Sequence, residues 1–363
     1  MAAQRRAIPT VTDVAARAGV SVGTASKAIN GRGQLRASTR ERVLTAAKEL
    51  GFQPNALARG LIAGRSYTVG VLTTDSFGRF TIPIMLGVED ALGAGEISTL
   101  LCDGRGDSLR EQHYVRTLLS RRVDGIVVTG RRPDPRPPIG DLPVPVVYVY
   151  TASARPDDLS VLCDDEQGAA LAVNHLLRTG RSHIAHITGP ERHLSARLRE
   201  AGARSALAAA GREFTPGGVL WGEWSEAWGR VAGEILIRSG APFDAVFCGS
   251  DQIARGVADT LRENTYSIPD DVALIGFDNW DVMVDGGRPP LTSIDPNLTE
   301  LGHVAARKLL SAIEGNPPEH GQIKLPCELV IRQSSAAARP GVGAAPGHRG
   351  GKPAEKVVTA PTD

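Results

Sequence analysis

The 363 residues predict a small all-α helix-turn-helix module followed by a two-lobed α/β body with parallel sheets. Three observations lead there. Capping signals punctuate three short helices in the first fifty or so residues. From Tyr67 onward, short β-rich runs alternate with amphipathic stretches. The charge divides at the same place: residues 1–66 hold eleven Lys+Arg against three Asp+Glu, and the remainder holds 30 basic and 37 acidic residues. A short basic module on a larger acidic body points to a polyanion as partner of the first part. The alternative is a solvated basic face.

In the module, Thr10-Val11-Thr12-Asp13 reads as a capping box, an acid three residues after a hydroxyl. Val14, Ala15 and Ala18 follow at helical spacing, and Gly19-Val20 breaks the chain. Ser21 is a good N-cap for a second helix over 22–29, which stops at Asn30-Gly31. Ser38-Thr39-Arg40-Glu41 reads as a further capping box. It opens a third helix with Val43, Leu44, Ala47 and Leu50 on its buried face, ended by Gly51. Two small helices around a glycine turn, braced by a third, make a helix-turn-helix. Pro54 cannot continue a helix, and Asn55 caps a two-turn helix over 56–63. So short a helix is marginal alone in water, and Gly60 weakens it further.

In the body, strands are expected over 68–73, 99–102, 125–128, 146–149, 183–187, 245–248 and 272–275. Helices are expected over 82–92, 108–120, 166–178, 197–210, 225–239 and 251–263. Such alternation means parallel sheets covered on both faces. About 270 residues is large for one open sheet, so two similar lobes are expected. A late helix over 297–313 and late strands over 322–325 and 328–332 complete the body. The last 28 residues contain 16 Ala, Gly or Pro and no aromatic residue, too little apolar surface to offset ordering entropy. The expected organisation is therefore a module over 1–54, a hinge helix and linker over 55–66, a body over 67–335 and a disordered tail over 336–363.

Composition and motifs exclude several classes. No run approaches the roughly eighteen apolar residues of a membrane span. The basic N-terminus leads into no apolar segment, so no signal peptide is expected. Cys102, Cys163, Cys248 and Cys327 form no CxxC pair, which argues against a zinc site or disulfide framework and for a reduced, cytosolic setting. There is no phosphate-binding GxxxxGK[ST] loop, no HExxH and no GxSxG elbow. Gly104-Arg105-Gly106 is a GxG without the rest of a dinucleotide fingerprint. His183 and His186, three apart on an expected strand, point to opposite faces. No enzyme activity, cofactor or metal is expected.

The run Val11-Thr12-Asp13-Val14-Ala15-Ala16-Arg17-Ala18-Gly19-Val20-Ser21-Val22-Gly23-Thr24-Ala25-Ser26-Lys27-Ala28-Ile29-Asn30-Gly31 resembles the DNA-binding headpiece of the lactose-repressor (LacI/GalR) family of bacterial transcription regulators. The likeness continues through Thr39-Arg40-Glu41-Arg42-Val43, Leu50-Gly51-Phe52-Gln53-Pro54-Asn55 and Ala58-Arg59-Gly60-Leu61, and over the body to about residue 333. A recognition helix enters the major groove with its N-terminal residues near base edges. By resemblance, Val22, Gly23 and Lys27 are the base readers. Lys27 can donate to guanine O6 or N7, and Val22 can touch a thymine methyl. Gly23 permits close approach, or simply serves the turn. The same resemblance puts Thr24, Ser26, Asn30, Arg36 and Thr39 on phosphates, where hydroxyls and amides fix register. It implies that Leu61, with Ala58 beside it, wedges into the minor groove at the operator's centre; the alternative is a leucine packed in the core.

For the body, the resemblance implies a periplasmic-binding-protein-like architecture whose two lobes close on a small effector, a sugar being the first guess. Ligands of parallel α/β lobes bind at the carboxyl ends of strands. In Ser195-Ala196-Arg197-Leu198-Arg199-Glu200-Ala201-Gly202, Ser195 and Arg199 match pocket positions, and Trp224 matches an aromatic platform. Asp278 ends one strand and Ser250 follows another. Thr74, Asp75 and Phe77 follow the first strand, and Tyr150 stands where sugar-binding relatives often carry an acid. Ser250 replaces a frequent asparagine, and Pro296 a polar residue. Asp278 and Arg199 either fix ligand hydroxyls or form a structural ion pair. The resemblance further implies a repressor acting on near-palindromic double-stranded operator DNA, with an activator or corepressed regulator as alternative. Tetramers of the family use a C-terminal leucine-heptad helix. Residues 336–363 contain no leucine, so a homodimer is expected. A solute-binding protein would instead need a signal peptide and no basic module.

Overall fold

The computed structural model describes residues 9–31, 33–52, 65–93 and 97–335. Helices α1 (Val11–Ala18), α2 (Val22–Ile29) and α3 (Ala37–Leu50) form the N-terminal module. The Thr10 capping box forms: Thr10 N donates to Asp13 Oδ2 at 2.7 Å, and Asp13 N donates back to Thr10 Oγ1 at 3.4 Å. Ser21 caps α2 by accepting from Thr24 N at 3.2 Å. The capping box expected at Ser38 does not form. Helix α3 starts two residues earlier, its N-cap is Arg36, and no side chain caps it. The Arg36 carbonyl accepts from Thr39 N and Arg40 N, so Ser38 and Thr39 already lie inside the first turn. Val14, Ala15, Ala18, Ala25, Ala28, Val43, Ala46 and Ala47 make the module's core. Five of those eight are within helices α1 and α2, where alanines let the backbones approach closely.

The chain divides into two compact units. The first runs through Asp164 and includes His193–Ser195 and Pro296–Cys327; the second holds Asp165–Arg192, Ala196–Asp295 and the chain from Glu328 on. The first unit's sheet contains β1 (Thr68–Thr73), β2 (Ser98–Asp103), β3 (Gly125–Thr129), β5 (Val146–Val149), β7 (Leu159–Cys163) and β13 (Gly321–Leu325). Its order is β13-β7-β5-β3-β1-β2, with every pair parallel. Short β4 (Pro135–Arg136) and β6 (Ala152–Ser153) pair beside it. Its helices are α4 (Thr81–Ala91), α5 (Ser108–Ser120) and α11 (Leu298–Ile313).

The second unit's sheet contains β8 (Ile184–Thr188), β9 (Val219–Trp221), β10 (Ala245–Cys248), β11 (Ala273–Phe277), β12 (Thr292–Asp295) and β14 (Glu328–Val330). The order is β14-β12-β11-β10-β8-β9. It is parallel except for antiparallel β12–β14. Helices α6 (Asp165–Arg178), α7 (Leu194–Ala209), α8 (Glu226–Arg238), α9 (Asp251–Glu263) and short α10 (Asp281–Val284) complete the second half of the chain. In each sheet the first strand to form in sequence lies between its next two, so the strand order reverses there. Such a switch point opens a crevice at the carboxyl ends of the strands.

Most expected elements appear within a few residues. Five strands were not expected: the two-residue β4 and β6, and β7, β9 and β12. β12 is Thr-Ser-Ile-Asp, yet Thr292 and Ser293 are fully buried. Ser334 Oγ accepts from Thr292 N at 2.8 Å, and Ser293 Oγ donates to Asp251 Oδ1 at 2.6 Å. Tertiary hydrogen bonds thus carry a strand whose composition reads as a turn. β9 is a three-residue edge, and β7 is buried at every position, so it shows no in–out alternation. Arg332, expected to end a strand, lies beyond Val330 and instead bonds Asn279 and the Leu291 carbonyl.

Candidate functional site

Helix α2 has two faces. Ala25 and Ala28 are buried in the module core, and Val22, Gly23, Lys27 and Asn30 lie on its exposed side. Val22 is 48% exposed, unusual for a β-branched apolar residue that has a core beside it. The Lys27 stem rests against Gly33, 3.4 Å from where a Cβ would be, which props the ammonium away from the core. No acidic residue lies on α2, so nothing on the helix itself opposes an approaching phosphate. Asn30 Nδ2 donates to Ser26 O at 2.9 Å and Ser26 Oγ at 3.3 Å. Thr24 Oγ1 is 2.9 Å from Ser21 Oγ. These two polar side chains are thereby oriented in advance. Arg36 is exposed and Thr39 half-buried. Ala58 and Leu61 lie outside the described residues.

At the strand ends of the first unit, Asp75 does a structural job that the sequence did not reveal. Its Oδ2 accepts from Phe80 N at 2.8 Å and Thr81 N at 3.1 Å. Phe80 precedes α4 and offers no side-chain cap, so the Asp75 carboxylate caps that helix from outside it. Tyr150 is 2% exposed and stacks on Phe80 with ring centroids 4.9 Å apart. Phe77, by contrast, is 92% exposed. Thr74 lines an open cleft of about 730 Å³ together with Gly130, Thr151 and a run of arginines that the sequence reading passed over. Arg131 and Arg132 follow β3 after a single glycine, Gly130, so the strand-end rule applied to that strand points to them.

In the second unit, Arg199 is the centre of a buried charge cluster. It is 3% exposed. Its Nε donates to Asp165 Oδ1 at 2.7 Å, and its Nη1 donates to the Gly249 carbonyl at 2.5 Å. Asp278 Oδ1 lies 3.6 Å from Nη1. The guanidinium stacks 3.5 Å from the Phe277 ring centroid and 5.6 Å from that of Trp224. The structure therefore makes the Arg199–Asp278 pair an ion pair, and adds Asp165, which the sequence reading missed. Asp165 opens α6 just after β7, another strand end. Asp278 has φ +105°, a strained backbone for a residue with a Cβ, costing about 1–3 kcal/mol. Its backbone is held by donation to the Ile294 carbonyl.

Trp224 packs flat over Gly189. A Cβ at Gly189 would sit 2.1 Å from the indole, so only glycine allows this approach. Ser250 is the N-cap of α9, accepting from Ile253 N at 3.3 Å. Ser195 is buried and groups with the first unit, whereas Arg199 groups with the second. The histidine pair is divided by burial: His183 is exposed ahead of β8, and His186 is fully buried within it. His186 stacks 4.7 Å from Phe247, and its Nδ1 lies 2.9 Å from the Phe247 carbonyl. Burial pushes its pKa down to about 4. Among the described residues, no three His, Cys, Asp or Glu side chains are grouped to hold a metal ion. Among those residues, too, no helix is long and apolar enough to cross a membrane.

A helix-turn-helix with an exposed second helix, joined to two doubly wound units with polar strand ends, defines a DNA-binding regulator with an α/β ligand-binding body. The comparisons agree. Residues 10–55 match the model of bacterial regulatory proteins of the lacI family, and residues 173–335 that of the periplasmic binding protein-like domain. The chain is 31% identical to catabolite control protein A of Priestia megaterium, over 90% of this chain and 99% of that protein. It is 33% identical to the HTH-type transcriptional regulator CelR of Thermobifida fusca, over 91% and 99%. The lac repressor dimer bound to operator and the anti-inducer ONPF superposes with a TM-score of 0.72 at 27% identity, over 91% of this chain and all of that one. The chain belongs to the LacI family and is a transcription regulator.

Proposed function

We propose that the chain is a cytoplasmic homodimeric repressor that releases or binds a near-palindromic operator according to a small effector held at the strand ends of its α/β units. The activity is binding without turnover. The carrying observation is the pairing of two features in one chain: an α2 face that exposes Val22, Gly23 and Lys27, and a buried strand-end cluster centred on Arg199. Residues 1–54 are the reading module, 55–66 the hinge and 67–335 the effector body. Lys27 reads a base in each half-site, and Thr24, Ser26, Asn30, Arg36 and Thr39 hold phosphates. Ala58 and Leu61 serve the centre of the operator. A sugar is the first effector class, supported by the cellobiose complex of the related regulator CelR. A flat indole suits the apolar face of such a ring. Arg199 and Asp278 suit its hydroxyls through charge-assisted hydrogen bonds.

The test is operator binding by the full chain, measured by anisotropy on DNA selected from a random pool. Lys27→Ala is expected to weaken the selected site by about 1–3 kcal/mol and to relax preference at one base pair per half-site. An equal loss on all sequences would make Lys27 a phosphate contact. Addition of neutral and charged sugars is expected to change operator affinity in the wild type and not in Arg199→Lys. A chain that selects no sequence at all would overturn the reading.

A further inference from the structure

The cleft in the first unit has a charge imbalance that the effector reading leaves unspecified. Four arginines and two carboxylates line it: Arg105, Arg131, Arg132 and Arg136, with Glu111 and Asp134. Each carboxylate is already taken. Arg136 grips Glu111 through both nitrogens, at 3.0 and 2.5 Å. Arg132 Nε lies 3.3 Å from Asp134 Oδ2, and its Nη1 lies 3.2 Å from His193 Nε2. Two guanidiniums have no carboxylate partner within the lining. Arg105 meets a carboxylate only outside the lining, at Asp103, 3.8 Å away and beyond hydrogen-bond length. Arg131 is exposed and makes no ion pair among the described residues. At about 730 Å³ the cleft falls within the size range of small-molecule sites. Fork-shaped guanidiniums match planar or tetrahedral oxyanions bidentately.

We propose that the effector is anionic: a small metabolite whose phosphate or carboxylate group is received by Arg131 and Arg105. This rests on the effector-controlled reading above and narrows the ligand from a sugar in general to one bearing an oxyanion. The fixed pairs Arg136–Glu111 and Arg132–Asp134 shape the cleft wall; Arg131, with no ion pair among the described residues, and Arg105, only loosely paired to Asp103 outside the lining, supply the attraction. A neutral ligand would leave that positive charge unanswered.

Calorimetry on the full chain tests this directly, with inorganic phosphate, glucose 6-phosphate, glucuronate and glucose titrated at equal ionic strength. The expected result is that an anionic probe binds at least about tenfold more tightly than glucose. Arg131→Gln should lose about tenfold of that affinity with its melting temperature unchanged, and Arg131→Lys should recover part of it. Tight binding of the phosphate ester alone assigns a phosphate, and of glucuronate alone a carboxylate. The proposal is overturned if glucose binds as tightly as the anions, if Arg131→Gln binds them like wild type, or if no anion binds up to about 1 mM. A neutral sugar that releases operator while no anion acts would overturn this proposal alone. Operator binding indifferent to every small molecule would overturn the effector-controlled reading with it.

Discussion

The two α/β units place charge differently at the carboxyl ends of their strands. In the second, Arg199 is buried, stacked on Phe277 and bonded to Asp165 and Gly249. In the first, Arg131 is exposed and Arg105 keeps 66% of its side-chain surface. One fold rule thus yields two kinds of site. A buried guanidinium is positioned by the protein before any ligand arrives, and its removal leaves carboxylates without a counter-charge. An exposed guanidinium contributes little to folding, because water solvates it equally well in the unfolded chain. Stability and ligand recognition should therefore be coupled in the second unit and separable in the first.

Arg199→Ala should break the second unit hardest. Asp165 and Asp278 would remain buried without their cation, a loss of about 3–5 kcal/mol in urea unfolding. A loss under about 1 kcal/mol, the range of exposed pairs, would erase the contrast between the units.

Acid should also act on the second unit first. His186 has a folded pKa of about 4 against an ordinary 6.5, so the unfolded state binds the proton more readily. Its contribution is fully present above pH 6.5 and is lost as pH falls toward 4, by roughly 3 kcal/mol in all. Unfolding followed by a probe in that unit should show this slope, and His186→Gln should flatten it. An unaltered slope in the variant would assign the acid sensitivity to other groups.

In the first unit, Asp75→Ala removes the carboxylate that accepts from the backbone N–H groups of Phe80 and Thr81. The expected cost is about 1 kcal/mol, as for other helix caps, read as a shifted urea midpoint. No shift would mean that water replaces the carboxylate there. Smallest of all is Arg131→Gln, expected within about 0.5 kcal/mol of wild type. A clear destabilisation would show that the first unit's arginines also hold up the fold, and the comparison would fail in that direction.

The sequence alone determined the parts whose signals are local. Thr10 with Asp13, and Ser21 with Thr24, lie within one helical turn of each other and their caps formed as read; the equally local box at Ser38 did not, because α3 already starts at Ala37. Alternating apolar runs placed most strands and helices, and a run of twenty-one residues sufficed to recognise the DNA-binding module. Arg199, Trp224, Asp278 and Ser250 were proposed as cleft residues from strand ends and from resemblance. What the sequence could not decide was which groups those residues would meet. Asp165 is 34 positions from Arg199, and nothing local distinguishes it from its neighbours Asp164 and Glu166. Asp75 read as a cleft residue until helix α4 folded back to place two N–H groups on it. β12 went unassigned because its polar side chains find partners that are distant in sequence, among them Asp251, Arg332 and Ser335. Nor could spacing show that Glu111 would neutralise Arg136 and Asp134 would meet Arg132, while Arg131 stayed uncommitted. Charge pairing over long sequence separations is fixed by the fold's closure, and it decides which of several similar side chains are left to bind a ligand.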